Sequence, residues 1–211
     1  MHARLVATFL AGAAALAAGP GGVPAHADTA ATWTVSPGGA ATATATAGTV
    51  TLTDVSTGAV GTCASSTVAG TVKKGSGLSG GDIGTVTAAA FGTCAALGSV
   101  PLTVTPAGLP WRISFTSYHP KTGVVAGTVS GVKVVLTGAF CDAVVNGSAG
   151  PADGTVSALY NDRIGQLTFL ASGSNLHYWH VKHCDQLIND GDPVALTASY
   201  AVRPIQDITS P

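Results

Sequence analysis

The sequence predicts an all-β fold, an antiparallel sandwich or barrel of about a dozen short strands with minimal helix, and three observations carry that prediction. The first is composition: Thr, Val, Ala and Gly dominate, only 9% of residues are charged, and all ten acidic residues are Asp, with no Glu. Glu, Lys, Arg and Met are the usual helix fillers, whereas β-branched Thr and Val suit a pleated surface. The second is period. Runs such as "ATATATAGTVTLTD" alternate apolar and hydroxyl side chains with a repeat of two, the repeat of a strand with two unlike faces. The third is an even number of cysteines, four, behind an export-like leader, which predicts two disulfides.

The chain opens with Arg4, an apolar run from Leu5 to Ala18, and the small-x-small sequence Ala25-His26-Ala27. This is the pattern of a secretory signal peptide over residues 1–27, cut after Ala27, followed by a single all-β domain over 28–211. The apolar run is too short for a membrane span, and no second run of about 20 apolar residues follows. The expected product is secreted, with no transmembrane segment. Nine basic residues against ten acidic ones give no electrostatic reason to expect a nucleic-acid partner.

From there the strands follow in order. Thr42, Thr44 and Thr46 share one parity and Thr49, Thr51 and Thr53 the other, so the pattern flips at Gly48: a strand with a bulge, or two strands meeting at a bend. Further strands are predicted over 66–72, 82–91, 100–105, 111–118, 123–129, 131–140, 142–148, 154–160, 163–171, 175–183 and 194–202. The segments 73–82, 119–123, 146–154 and 189–193 have turn compositions rich in Gly, Pro, Asn and Asp. A weak repeat, "TGAVGTCASSTVAGT" against "TGAFCDAVVNGS", divides the domain into two halves of one core joined near 106–110. Of the three possible disulfide pairings we expect Cys63 with Cys94 and Cys141 with Cys184, because each closes a loop within one half. Loop-closure entropy assigns about 3–4 kcal/mol to each.

Ligand-type side chains crowd together only in "SNLHYWHVKHC", which holds His177, His180, His183 and Cys184. On a regular strand His177 and His183 would lie about 20 Å apart with His180 on the other face. Zinc needs each imidazole nitrogen at about 2 Å. The segment has no Gly or Pro to bend it, and a bridged Cys184 is no ligand. These histidines are therefore weak metal candidates, the strand reading is preferred, and no cofactor is expected. "GLSGG" fits the G-x-S-x-G pattern of hydrolases at Ser79, but in a Gly/Ser-rich turn with no helix behind it. Asp153, Asp162, Asp190 and Asp192 all sit in turn sequence, where Asp bonds its own backbone; an acid/base pair or a calcium loop at "NDGDP" is the less favoured reading. Trp111, Tyr178 and Trp179 are weak ligand-binding candidates, since Trp and Tyr also build ordinary β cores. In a regular strand Tyr178 and Trp179 face opposite sides.

"FGTC", Phe91 to Cys94, and "VTPAGLPWRI", Val104 to Ile113, resemble secreted actinobacterial β proteins and, more loosely, the PraB-type alkane-oxidation activator proteins. The shared features are a Phe-Gly-x-Cys strand and a Gly-Leu-Pro-Trp turn leading into a strand. The resemblance implies a non-enzymatic extracytoplasmic protein, and it brings no catalytic residues with it. The expected function is a surface, matrix or interaction module acting on an extracellular macromolecule. The alternatives are a carrier of a small apolar ligand or carbohydrate with a pocket near Trp111 and Trp179, and a hydrolase or metal enzyme using His177, His180 or His183.

Overall fold

The computed structural model describes residues 31–46, 50–97, 100–148 and 154–211; the expected signal peptide and its cut after Ala27, and Gly48, lie outside them. Fifteen strands are present: Thr32–Ser36 (β1), Gly39–Ala45 (β2), Val50–Asp54 (β3), Val60–Val72 (β4), Gly75–Ser79 (β5), Gly84–Ala96 (β6), Val100–Ala107 (β7), Trp111–His119 (β8), Val124–Gly138 (β9), Asp142–Gly147 (β10), Gly154–Asn161 (β11), Gln166–Phe169 (β12), Leu176–Lys182 (β13), Val194–Arg203 (β14) and Asp207–Thr209 (β15). Among the described residues there is no helix, and hence none long and apolar enough to cross a membrane.

Following the antiparallel pairings from β9 through β11, β12, β14, β2, β4, β6 and β8 returns to β9, so eight strands close into a barrel. The fold is all-β, as the composition requires, and the closed form removes the sheet edges on which β proteins associate. Four strands run past this ring. The far halves of β4, β6, β9 and β14 pair instead with β3, β7 and β10, and β13 pairs with β10. This second tier closes where Tyr178 N–H donates to Asp192 O at 2.9 Å and Gly191 N–H donates to Tyr178 O at 2.7 Å.

In the ring the strands before 106–110, β2, β4 and β6, form one arc and those after it, β8, β9, β11, β12 and β14, the other, and the arcs meet where β6 pairs with β8 and β2 with β14. The flip sought around Gly48 resolves as two strands, β2 and β3, end to end along β4. By contrast, the two strands expected over 123–129 and 131–140 are one, β9, 15 residues long. Its buried residues are Val125 and Val129 before Gly131, and Val132, Val134 and Leu136 after it. Gly131 has φ +82°, a left-handed conformation open to glycine. It inserts the extra residue that keeps apolar side chains inward on both sides.

Segment 73–82, expected as a turn, contains β5. With β1 and β15 it forms a separate three-stranded sheet in the order β15-β1-β5. This sheet packs on the end of the barrel away from the second tier: Trp33 of β1, 2% exposed, lies 5.2 Å from Phe115 of β8 between ring centroids. Gln206, just before β15, donates its backbone N–H to the Tyr160 hydroxyl of β11 at 2.8 Å. Composition concealed β5 because glycine weakens an isolated strand, and a partner on one edge is what holds it. At the opposite end two disulfides pair Cys63 with Cys94, across β4 and β6, and Cys141 with Cys184, the expected connectivity.

Candidate functional site

The inward rows of the ring do not fill it. A cavity of about 120 Å³ lies within the eight-stranded tier, beneath the three-stranded sheet, among Ala43, Val129, Ala158, Phe169, Tyr200 and Ile208. A second, of about 50 Å³, lies in the other tier against Val104, Trp111, Val145 and Leu176. Val68, Val86, Val129, Phe169 and Tyr200 border both and form the wall between them. Small residues make the space. Ala43 and Ala158 occupy inward positions where a branched side chain would reach the centre, and Gly127 has no room for a side chain because its Cα faces the Ser114 carbonyl of β8.

The walls are apolar in effect as well as in composition. The Tyr200 hydroxyl donates to Ser66 Oγ at 3.1 Å, and the Tyr160 hydroxyl accepts the Gln206 N–H. Gln206 in turn accepts Gly38 N–H at 2.9 Å and donates to Pro204 O at 2.9 Å. Burial pushes both phenols above their ordinary value, so they are neutral. The interior thus offers shape and dispersion contacts to a guest, with its polar groups turned to one another.

The sequence-predicted candidates are scattered by the fold. Trp111, at the start of β8, is buried, donates Nε1–H to Ala107 O at 2.9 Å and borders the smaller cavity. Tyr178 is buried in β13, while Trp179 on the opposite face is half-buried and donates Nε1–H to Gly147 O at 2.9 Å. Neither borders either of these two cavities. His177 is half-buried, with Nδ1 3.0 Å from Asn175 O. The expected straight strand through His183 is corrected: β13 ends at Lys182 and its register shifts opposite Asp142 to Val144. His180 and His183 take φ values of +53° and +60°, which His tolerates better than most side chains. The bend carries Cys184 to its bridge with Cys141. Among the described residues no group of three or more His, Cys or Asp side chains is placed to hold a metal ion.

Ser79 ends β5, exposed, with Oγ accepting Gly81 N–H at 3.2 Å. Asp192 closes its own turn, its Oδ2 accepting Asn189 N–H at 2.9 Å, whereas Asp190 Oδ1 accepts Val181 N–H of β13 at 2.9 Å. Asp162 is buried, and burial followed by the charge of Asp207 raises its carboxyl above the ordinary value. Asp153 lies outside the described residues. Sequence reasoning missed Ala43, Ala158 and Phe169, because small and aromatic residues in strands read as core until the ring is known to close.

No family model, no curated protein and no solved structure matches this chain.

Proposed function

We propose that the protein is a non-catalytic extracytoplasmic carrier whose barrel holds one small apolar molecule. The observation that carries this reading is the cavity of about 120 Å³ walled by apolar side chains. A void of about 150 Å³ lined by Leu, Ile and Phe stays dry and accepts benzene, so the guest class is a single aromatic ring or a short hydrocarbon. The two disulfides support an oxidising compartment, as does the leader pattern of residues 1–27.

The test is thermal unfolding of the purified protein with and without benzene or n-hexane near saturation, repeated on Ala158→Val. Binding to the folded state raises the melting temperature as the logarithm of guest concentration. The expected result is a rise in the wild type that shrinks or vanishes in Ala158→Val, whose added methyls occupy the guest's space. An unchanged wild-type melting temperature with both guests would end the proposal.

One observation favours a surface module instead. Val55, Leu97, Phe140 and Leu187 are exposed, Phe140 to 71%, on turns at the disulfide end of the barrel. An apolar rim of this kind is what a macromolecular partner would cover. Substituting Phe140→Ser would leave guest binding intact and abolish partner binding.

A further inference from the structure

One carboxylate at the disulfide end points into the protein. β3 alternates buried and half-buried residues from Val50 to Asp54, so Asp54 stands in the inward row with Val50 and Leu52, and it is 0% exposed. Its Oδ1 accepts the backbone N–H groups of Ser56 and Thr57 at 2.8 and 2.9 Å, which secures the β3–β4 turn. Its Oδ2 is buried and has no hydrogen-bond partner. A buried carboxylate oxygen left in that state is strongly unfavourable unless a proton or a cation meets it.

The segment that pairs with it carries another carboxylate. Asp192, in the loop that leads into β14, lies two residues before Val194, the β14 partner of Asp54, and it accepts Asn189 N–H and Nδ2–H at 2.9 and 2.8 Å. The backbone holds the two segments together, since Val55 N–H donates to Pro193 O and Tyr178 N–H to Asp192 O, both at 2.9 Å. Burial alone would raise the Asp192 carboxyl, but the hydrogen bonds it accepts from Asn189 help to leave it below its ordinary value. Tyr178 also faces the pair, and burial and then the charges of Asp54 and Asp192 push its phenol up. None of these neighbours is a cation.

We propose that Asp54 and Asp192 bind one calcium ion, which ties the β3–β4 turn to the loop before β14 and so locks the second tier shut. Calcium takes six to eight oxygen ligands at about 2.3–2.6 Å and accepts carboxylates, hydroxyls, carbonyls and water together. Two carboxylates and the Ser56 hydroxyl are oxygen donors drawn from both segments, with water completing the shell. Zinc, by contrast, takes four ligands from Cys, His and carboxylates, and no such cluster is present among the described residues. The ion meets the orphaned Asp54 oxygen and neutralises the pair. The site is separate from the apolar cavity, and its test does not depend on any guest.

The experiment is thermal and urea unfolding of the purified protein in chelator and in about 10 mM calcium, with terbium luminescence excited through the aromatic side chains as a direct readout. Extracellular calcium modules bind with Kd near 10⁻⁴–10⁻³ M, so calcium should lower the unfolding equilibrium constant about 10- to 100-fold. Asp54→Asn keeps the oxygen that holds the turn and gives Asp192 an N–H donor. It should fold without calcium, ignore calcium, and lose the terbium signal; Asp192→Asn should lose the same response. Identical wild-type stability in chelator and calcium overturns the proposal, as does a full calcium response in either variant. Stability that rises on mild acidification with no calcium response would mean that the two carboxylates share a proton, and that too overturns it.

Discussion

Tyr200 reaches behind β2 to donate its hydroxyl hydrogen to Ser66 Oγ at 3.1 Å, joining β14 to β4 from inside the barrel. Both residues are 2% exposed, so neither hydroxyl has water to turn to. The same ring stands edge-on to Phe169, 5.6 Å between centroids at 70°, and forms part of the wall between the cavities. One side chain therefore sets both the strand spacing and the shape of the interior.

Removing its hydroxyl isolates the serine. Tyr200→Phe should destabilise the protein by about 1–2 kcal/mol, because a buried donor and acceptor left unpaired costs more than the net worth of its bond. Adding Ser66→Ala should recover part of that loss, giving a coupling energy of about 0.5–1 kcal/mol in a double-mutant cycle read by urea unfolding. Strictly additive losses would show that the hydroxyls do not interact.

The buried phenols also fix the alkaline limit of stability. Tyr160, Tyr178 and Tyr200 all have pKa values raised above the ordinary 10.0, in each case first by burial. A proton held more tightly in the folded than in the unfolded state stabilises the fold below the unfolded pKa, and that contribution is lost as pH rises through the folded one. Stability with respect to these groups should be flat from neutral pH to about 10 and fall above it. Tyrosinate absorbance should then rise together with loss of structure. Ionisation of Tyr160, Tyr178 and Tyr200 at about pH 10 in a folded protein would contradict their burial.

How much of this was legible in the sequence depends on whether a property is local. Alternation in "VTLTD" and "GTVSALYN" is local, so strands and their inward rows follow from residue types, and the disulfide connectivity follows from keeping each bridge within one half. Ring closure is not local: it depends on β11 meeting β9 and β14 meeting β2, pairings far apart in sequence that no period announces. The cavity inherits that opacity, since Ala43 and Ala158 become its walls only when the ring closes around them. Asp54 was half legible. Its parity in β3 places it inward with Val50 and Leu52, but the neighbour that gives this meaning, Asp192, arrives from the other end of the chain. In the histidine run the strand was legible and its bend was not, because no local pattern announces the left-handed backbone at His180 and His183 that carries Cys184 to its bridge.

The parity change in β9 rests on one backbone conformation, and this can be tested by itself. A Cβ added at Gly131 would meet Trp111 atoms no closer than 3.7 Å, so space does not forbid a side chain there. The left-handed φ of +82° does, at about 1–2 kcal/mol for an L-residue other than Gly, Asn or Asp. Gly131→Ala should therefore lower stability by that amount, and Gly131→Asn by less, with both variants keeping the wild-type far-ultraviolet circular dichroism. Urea unfolding distinguishes the two. If Gly131→Ala matched the wild type, β9 would have to run without its bulge. The two inward rows, Val125 to Val129 and Val132 to Leu136, could not then both face the core.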